Sequence, residues 1–208
     1  MRYEKFEYLW PPRPENAIAT NMLAFYEKRG WVSSFKMNGT CSVIAVSPER
    51  KLICKTRHND DHKLWSPSAK SSEIFQNLPG DGWYVFVAEL MHSKVPGLRD
   101  INYINDILVA DGERLDGGAL AARQEILKKL FLKGGEEETI SHYALDDHAW
   151  LAKNHSGGFA GLFAGIDKPE HEGLVLKNPK AVLLPCSKQK ANAGWSVKIR
   201  KATKNYAF

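Results

Sequence analysis

Lysine becomes a nucleophile only once it has shed its proton, which requires burial or neighbouring cations, a bound metal included, to depress its pKa. Lys36 ends a β-prone run and is followed by Met37-Asn38-Gly39. Asn38-Gly39 suits a tight turn with φ > 0, which would present the lysine at the mouth of a pocket. Three further stretches set charge beside apolar strands. Glu89 ends the run Trp83–Glu89, within Val87-Ala88-Glu89-Leu90. Glu172-Gly173-Leu174-Val175-Leu176-Lys177 puts a carboxylate before an apolar strand and a lysine at its far end. In Trp195-Ser196-Val197-Lys198-Ile199-Arg200 the cations alternate with apolar residues, so Lys198 and Arg200 share one face of a strand while Val197 and Ile199 face a core. Singly, each is an ordinary strand-end charge or a lysine whose stem lies along apolar surface.

Other chemistries lack their residues. There is no G-x-x-x-x-G-K-[ST], no G-x-S-x-G and no G-x-G-x-x-G. His58 and His62 have metal-ligand spacing, but the stretch His58-Asn59-Asp60-Asp61-His62 has neither helical character nor a third ligand, so a metal is not favoured there. Cys41, Cys54 and Cys186 form no C-x-x-C and cannot all pair, which argues against a zinc ribbon or a disulfide scaffold and suits a reducing cytosol. The expected location is therefore cytoplasmic, in the host cytoplasm for a viral protein. No stretch approaches the ~20 apolar residues of a membrane span, and Met1-Arg2-Tyr3-Glu4-Lys5 lacks the apolar core of a signal peptide.

The 208 residues, 43% apolar and 25% charged, are enough for one sizeable core and exclude disorder, collagen and coiled coil. Charge is unevenly divided. From Lys177 onward there are eight basic residues and no acidic one, which leaves 21 basic against 24 acidic residues, a net of −3, in the rest. A basic tail on a near-neutral body attracts polyanions, nucleic acid or nucleotide phosphates among them.

The elements that must position these residues follow from periodicity. The spacing of Ile18, Met22 and Phe25 reads as a helix over Glu15–Arg29, stopped at Gly30. Strands are expected at Trp31–Lys36, Ser42–Ser47, Lys51–Lys55, Trp83–Leu90, Ile101–Val109, Gly173–Lys177, Ala181–Leu184 and Trp195–Arg200, with a polar loop over His58–Ser72. Ala119–Leu132 reads as a helix with Leu120, Leu127 and Leu130 on its apolar face, Asp146 or Asp147 as the cap of a short helix through Trp150 and Leu151, and Phe159–Ile166 as another helix. Strands come in clusters with few helices between them, which favours α+β with antiparallel sheets over a doubly wound parallel sheet.

Taken in order, the charged stretches resemble the covalent nucleotidyltransferase superfamily of ATP-dependent DNA ligases, RNA ligases and mRNA capping enzymes. Lys36-Met37-Asn38-Gly39 resembles its K-x-D/N/H-G motif I, Arg57 motif Ia, and Glu89 motif III. Asn105-Asp106-Ile107-Leu108 resembles motif IIIa, with Arg123 as the arginine of the next helix. Glu172-Gly173-Leu174-Val175-Leu176-Lys177 is similar to motif IV and Lys198-Ile199-Arg200 to motif V. The wording is most similar to small phage-type DNA ligases.

The resemblance implies an α+β adenylation domain whose antiparallel sheets flank a nucleotide-binding cleft, covering residues 1–208 with no OB domain. It implies that Lys36 attacks the α-phosphate of ATP and carries AMP to the 5′-phosphate of a nick in duplex DNA, which is then sealed. Lys177, Lys198 and Arg200 would contact phosphates, Arg57 the ribose or phosphate, and Glu89 the ribose or a metal. Glu172 would hold Mg²⁺, and Tyr103 is the nearest aromatic residue for stacking on the base, since Asn105 occupies the usual place. Partners would be nicked duplex nucleic acid, DNA ahead of RNA, with no membrane, and the chain a monomer. An RNA ligase, a GTP-using capping enzyme and a non-catalytic nucleic-acid-binding domain remain alternatives.

Overall fold

Runs that are apolar at every position make strands covered on both faces, whereas alternating runs leave one face open. Both kinds occur in the computed structural model, which describes residues 1–201; Lys204, counted in the basic tail, lies outside them. In chain order the elements are β1 (Asn16–Ala17), a 3-10 turn (Thr20–Met22), α1 (Leu23–Lys28), β2 (Val32–Met37), β3 (Thr40–Val46), β4 (Leu52–Thr56), α2 (Ala69–Gln76), β5 (Tyr84–Met91), β6 (Ile101–Ala110), β7 (Glu113–Arg114), α3 (Leu120–Phe131), β8 (Glu137–Glu138), β9 (His142–Asp146), β10 (Ala149–Ala152), α4 (Phe159–Ala164), β11 (His171–Lys177) and β12 (Ser196–Arg200). None of the described helices is long and apolar enough to cross a membrane.

The architecture is α+β, with two sheets. The smaller has the order β1-β12-β11-β2 and the larger β4-β3-β5-β6-β10-β9-β8, with β7 paired to β6. Three apolar clusters hold them. Phe35, Met37, Leu174, Leu176, Val197 and Ile199 of the small sheet pack with Met91, Ile101 and Tyr103 of the large one, closed by Leu23 of α1 and Phe159 of α4. Ile44, Phe86 and Ile104 meet α2 through Phe75 and α3 through Leu127 and Phe131. Val43, Ala45, Val85 and Val87 face the opposite way, onto Tyr3, Leu9, Leu183 and Cys186. The continuous apolar runs of β3 and β5 are thus explained by cover on both faces.

Several expectations are corrected. The sheets are mixed rather than antiparallel throughout, because β1 runs parallel to β12 and β10 parallel to β6. The helix expected from Glu15 begins only at Leu23, after the 3-10 turn. Asn16 and Ala17 pair with Val197 and Lys198, and the amide of Ile18 donates to the Lys198 carbonyl at 2.9 Å. Backbone groups that a longer helix would need are spent on the sheet edge. The stop at Gly30 holds, with φ +71°.

The loop expected over His58–Ser72 already contains the start of α2. The Ser68 side chain accepts from the amide of Ser71, and the Ser71 hydroxyl accepts from the amide of Ser68. Serine here takes the place of the Glu or Gln that usually signals such a reciprocal cap. No helix forms at Asp146–Leu151. Asp146 instead accepts from the amide of His148 at 2.7 Å, in the turn that sends β10 alongside β6. Ala181–Leu184 is extended but joins no sheet, with one bridge from Val182 to Ala119.

Three partly or wholly buried histidines cluster behind β2. His142 stacks on Trp150 with ring centroids 4.1 Å apart, and the rings of His155 and His171 stand 6.1 and 4.5 Å from Phe35. Burial pushes all three down, His142 from 6.5 to about 4 with help from the neighbouring His171 and Lys168. The unfolded chain therefore binds more protons between these values, so stability is intact above about pH 6.5 and falls as the pH drops toward about 4. Urea midpoints measured across this range should decline on the acid side, and His142→Gln should flatten the decline. A midpoint independent of pH would contradict the account.

Candidate functional site

Lys36 lies one residue from the end of β2, where the chain passes from one sheet to the other. Its partner across the ladder is Gly173, while Met37 pairs with His171, so Glu172 is the extra residue of a bulge. The bulge aims the Glu172 carboxylate at the Lys36 ammonium, with which it forms a hydrogen-bonded ion pair. Arg200 Nε lies 3.2 Å from the same oxygen. A Cβ on Gly173 would overlap the carbonyl of Ile199, so glycine lets β11 and β12 meet at this point.

Asn38-Gly39 is not the expected hairpin turn. Neither residue has a positive φ, and β2 and β3 belong to different sheets. The glycine is needed for space, since a Cβ there would lie 2.6 Å from Glu89 Cγ and from the Leu90 carbonyl. The stretch Lys36–Gly39 thus crosses between the sheets directly against the strand that carries Glu89.

Two adjoining hollows open at this crossing, and Pro14, Lys36, Cys41, Arg57 and Glu89 line both. The inner one is walled by Phe35, Val87, Tyr103, Val175 and Trp195, with Ser34, Asn105, Asp106 and Lys177 as polar groups. The outer one adds Lys94, Glu172, Lys198 and Arg200. Positions 36, 89, 172 and 198, which the proposed chemistry needs together, share the outer hollow.

The outer hollow has more cations than acids, with five lysines and arginines against Glu89 and Glu172. Burial pushes the Glu89 carboxyl up, against the pull of Lys36, Arg57 and Lys94. Burial lowers Lys198, and the crowding of Arg200, Lys36, Arg57 and Arg13 lowers it further. The buried Nε atoms of Arg13 and Arg57 find no hydrogen-bond acceptor. Unmatched donors and mutually repelling cations are what an anion would relieve. Cys41, pushed up to about 11 chiefly by burial, is not a reactive thiol.

Lys177 sits apart from the other phosphate candidates, on the inner hollow. It is 9% exposed and is lowered by burial, with Asp106 opposing. Asp106 is itself held by Arg123 at 2.9 and 3.0 Å in a buried bidentate pair. Tyr103 lines the same hollow but is 2% exposed, and its hydroxyl donates toward the carbonyls of Phe35 and Ser141. His58 lines the outer hollow, while His62 bonds Ser42 at 3.1 Å, and among the described residues no three His, Cys, Asp or Glu side chains group to hold a metal. Sequence reasoning missed Lys94, and it treated Trp195 only as the start of a strand. A tryptophan immediately before an alternating cationic strand was the available signal for the second; Lys94 had none.

No family model and no curated protein matches the sequence. Solved structures do match. Mycobacterial DNA ligase D complexed with ATP is 17% identical at a TM-score of 0.65, over 94% of this chain and 62% of that one. A Lig E DNA ligase, described as binding DNA with a minimal scaffold, is 11% identical at 0.54, over 92% and 69%. The bacteriophage T7 ATP-dependent DNA ligase complexed with ATP is 12% identical at 0.51, over 91% and 68%. The chain has the fold of the ligase nucleotidyltransferase superfamily, and it spans about 62% of the length of the ligase D structure. Gly173→Ala should cost about 1–3 kcal/mol through forced separation of β11 and β12 and should misplace Glu172. Thermal melts would register this, and an unchanged melting temperature would refute the close approach.

Proposed function

We propose that the chain is an ATP-dependent DNA ligase whose nucleotidyltransferase domain, acting as a monomer, seals nicks in duplex DNA through a lysine–AMP intermediate on Lys36. The observation that carries this reading is the placement of the Lys36 amine, paired to Glu172, at the junction of an apolar-walled hollow and a cationic one. A nucleotide is built the same way, with a flat base at one end and phosphates at the other. The ligase structures that share the fold support the choice of ATP and DNA.

In this reading the base enters the inner hollow. Trp195, partly exposed there, has more ring surface to offer than the enclosed Tyr103. Lys177 reaches the base end rather than the phosphates. Glu89 takes the ribose, and Arg57, Lys198 and Arg200 take the phosphates. Lys36 then attacks the α-phosphorus and expels pyrophosphate, AMP passes to the 5′-phosphate of a nick, and the 3′-hydroxyl displaces it. Catalysis of this kind is largely positioning and charge neutralisation. Glu172 is the carboxylate within reach of the Lys36 proton.

Mg²⁺ fits the donor set. The two carboxylates on the outer hollow, Glu89 and Glu172, suit an ion that takes few protein ligands and completes its shell with water and substrate phosphates. Glu89 and Glu172 would hold it, and it would supply further neutralisation of the phosphate charge.

Incubation with α-labelled ATP and Mg²⁺ should give a denaturation-stable adduct one AMP heavier, mapped to Lys36 by mass analysis and absent in Lys36→Ala. Glu172→Gln should slow labelling by about 10²–10³-fold, the scale of a lost proton acceptor. Nicked DNA should then be sealed in preference to nicked RNA. Labelling by GTP in place of ATP, preference for RNA, or DNA binding without any adduct would each replace the reading with one of its alternatives.

A further inference from the structure

Lys94 belongs to no motif, yet its side chain reaches the outer hollow beside Lys36, Glu89 and Glu172. It lies in the segment 92–100 that joins β5 to β6. Val95, 4% exposed, packs in the core with Met91 and Ile101 and anchors that segment. Lys94 itself is exposed, and its ammonium turns inward to donate to the carbonyl of Gly39. Glu89 feels it as a third cation after Lys36 and Arg57.

Its attachment differs from that of its neighbours. Lys36 and Arg200 are committed to Glu172, and Lys198 is fixed on a strand with its amine 3.4 Å from the Pro14 carbonyl. Lys94 extends from a loop on a flexible four-carbon stem and is held by one neutral carbonyl. An anion at the mouth of the hollow offers it a charge-assisted bond in exchange for an ion–dipole one.

We propose that Lys94 is a catalytic residue of the first transfer, contacting the pyrophosphate as it leaves; this rests on the reading of Lys36 as the lysine that accepts AMP. The Lys36 ammonium gives one proton to Glu172, and its lone pair forms the N–P bond to the α-phosphorus. The bond from that phosphorus to the oxygen shared with the β-phosphate breaks, and its electron pair stays on the departing pyrophosphate. The second proton lost by the nitrogen goes to solvent. Lys94 meets the charge that grows on the leaving oxygen, where a positioned cation counts most. The second transfer expels the Lys36 amine and the third expels AMP, neither of them pyrophosphate, so Lys94 has no part in sealing a strand that already carries a 5′-adenylate.

The test uses the full chain as wild type, Lys94→Met and Lys94→Arg. Three rates are read: adduct formation from ATP in a single turnover, loss of the adduct to added pyrophosphate, and sealing of nicked DNA already adenylated at its 5′ end. Lys94→Met should slow the first two by the same factor, roughly 100-fold, and leave the third within about twofold. Lys94→Arg should recover most of the loss. Unchanged adduct formation in Lys94→Met would overturn the proposal. Equal losses in all three rates would also overturn it, making Lys94 a prop for the Gly39 crossing. A wild-type chain that forms no adduct at all would instead remove the reading of Lys36, and this proposal with it.

Discussion

The ion pair between Lys36 and Glu172 is the contact on which the site depends, and it exists because of a flaw in a ladder. One residue too many on β11 leaves Glu172 without a partner on β2, so its side chain can turn toward the amine. A regular register would place residues 172 and 173 on alternate faces, and every later charge on that strand would change sides. Gly173 makes the bulge sterically feasible against β12, and Arg200 on β12 takes the same carboxylate from the other flank. Three strands of the small sheet thus converge on one oxygen.

The second constraint is the crossing from β2 to β3. Two sheets that share a core through Phe35, Met37, Met91 and Tyr103 must be joined without filling the space between them. Gly39 achieves this by lying against Glu89 and Leu90 with no side chain of its own. The result is two adjoining hollows, one apolar-walled and one cationic. At the cationic one Lys198 is crowded by like charges, at an electrostatic cost, and the Arg57 Nε meets no acceptor. That cost is of the kind found where a polyanionic ligand is expected.

How far the sequence disclosed this varies with the range of the forces involved. Alternation of Val197 and Ile199 with Lys198 and Arg200 is local, and the strand presents its cations as the pattern requires. Residue type at positions 36, 89 and 172 also carried far, and the four key positions do share a hollow. The bulge at Glu172 could not be read, because register is decided between strands that lie more than a hundred residues apart in the chain. The same holds for β10, whose parallel partner β6 overrode what looked like a capped helix at Asp146, and for β1, where pairing with β12 shortened α1. Gly39 was read for its backbone freedom when a tertiary close approach was the cause. Lys94 reaches the hollow from a loop that shows no pattern of its own.

The central claim is that a single nucleotide spans the two hollows with its α-phosphate against residue 36. A crystal structure of the Lys36→Met chain soaked with ATP tests this most directly, because it cannot turn over and holds the intact ligand. The account predicts the base in the inner hollow beside Trp195 and Lys177, and the phosphates in the outer one among Arg57, Lys94, Lys198 and Arg200. A base lodged outside the inner hollow, or an α-phosphate beyond bonding reach of position 36, would contradict it.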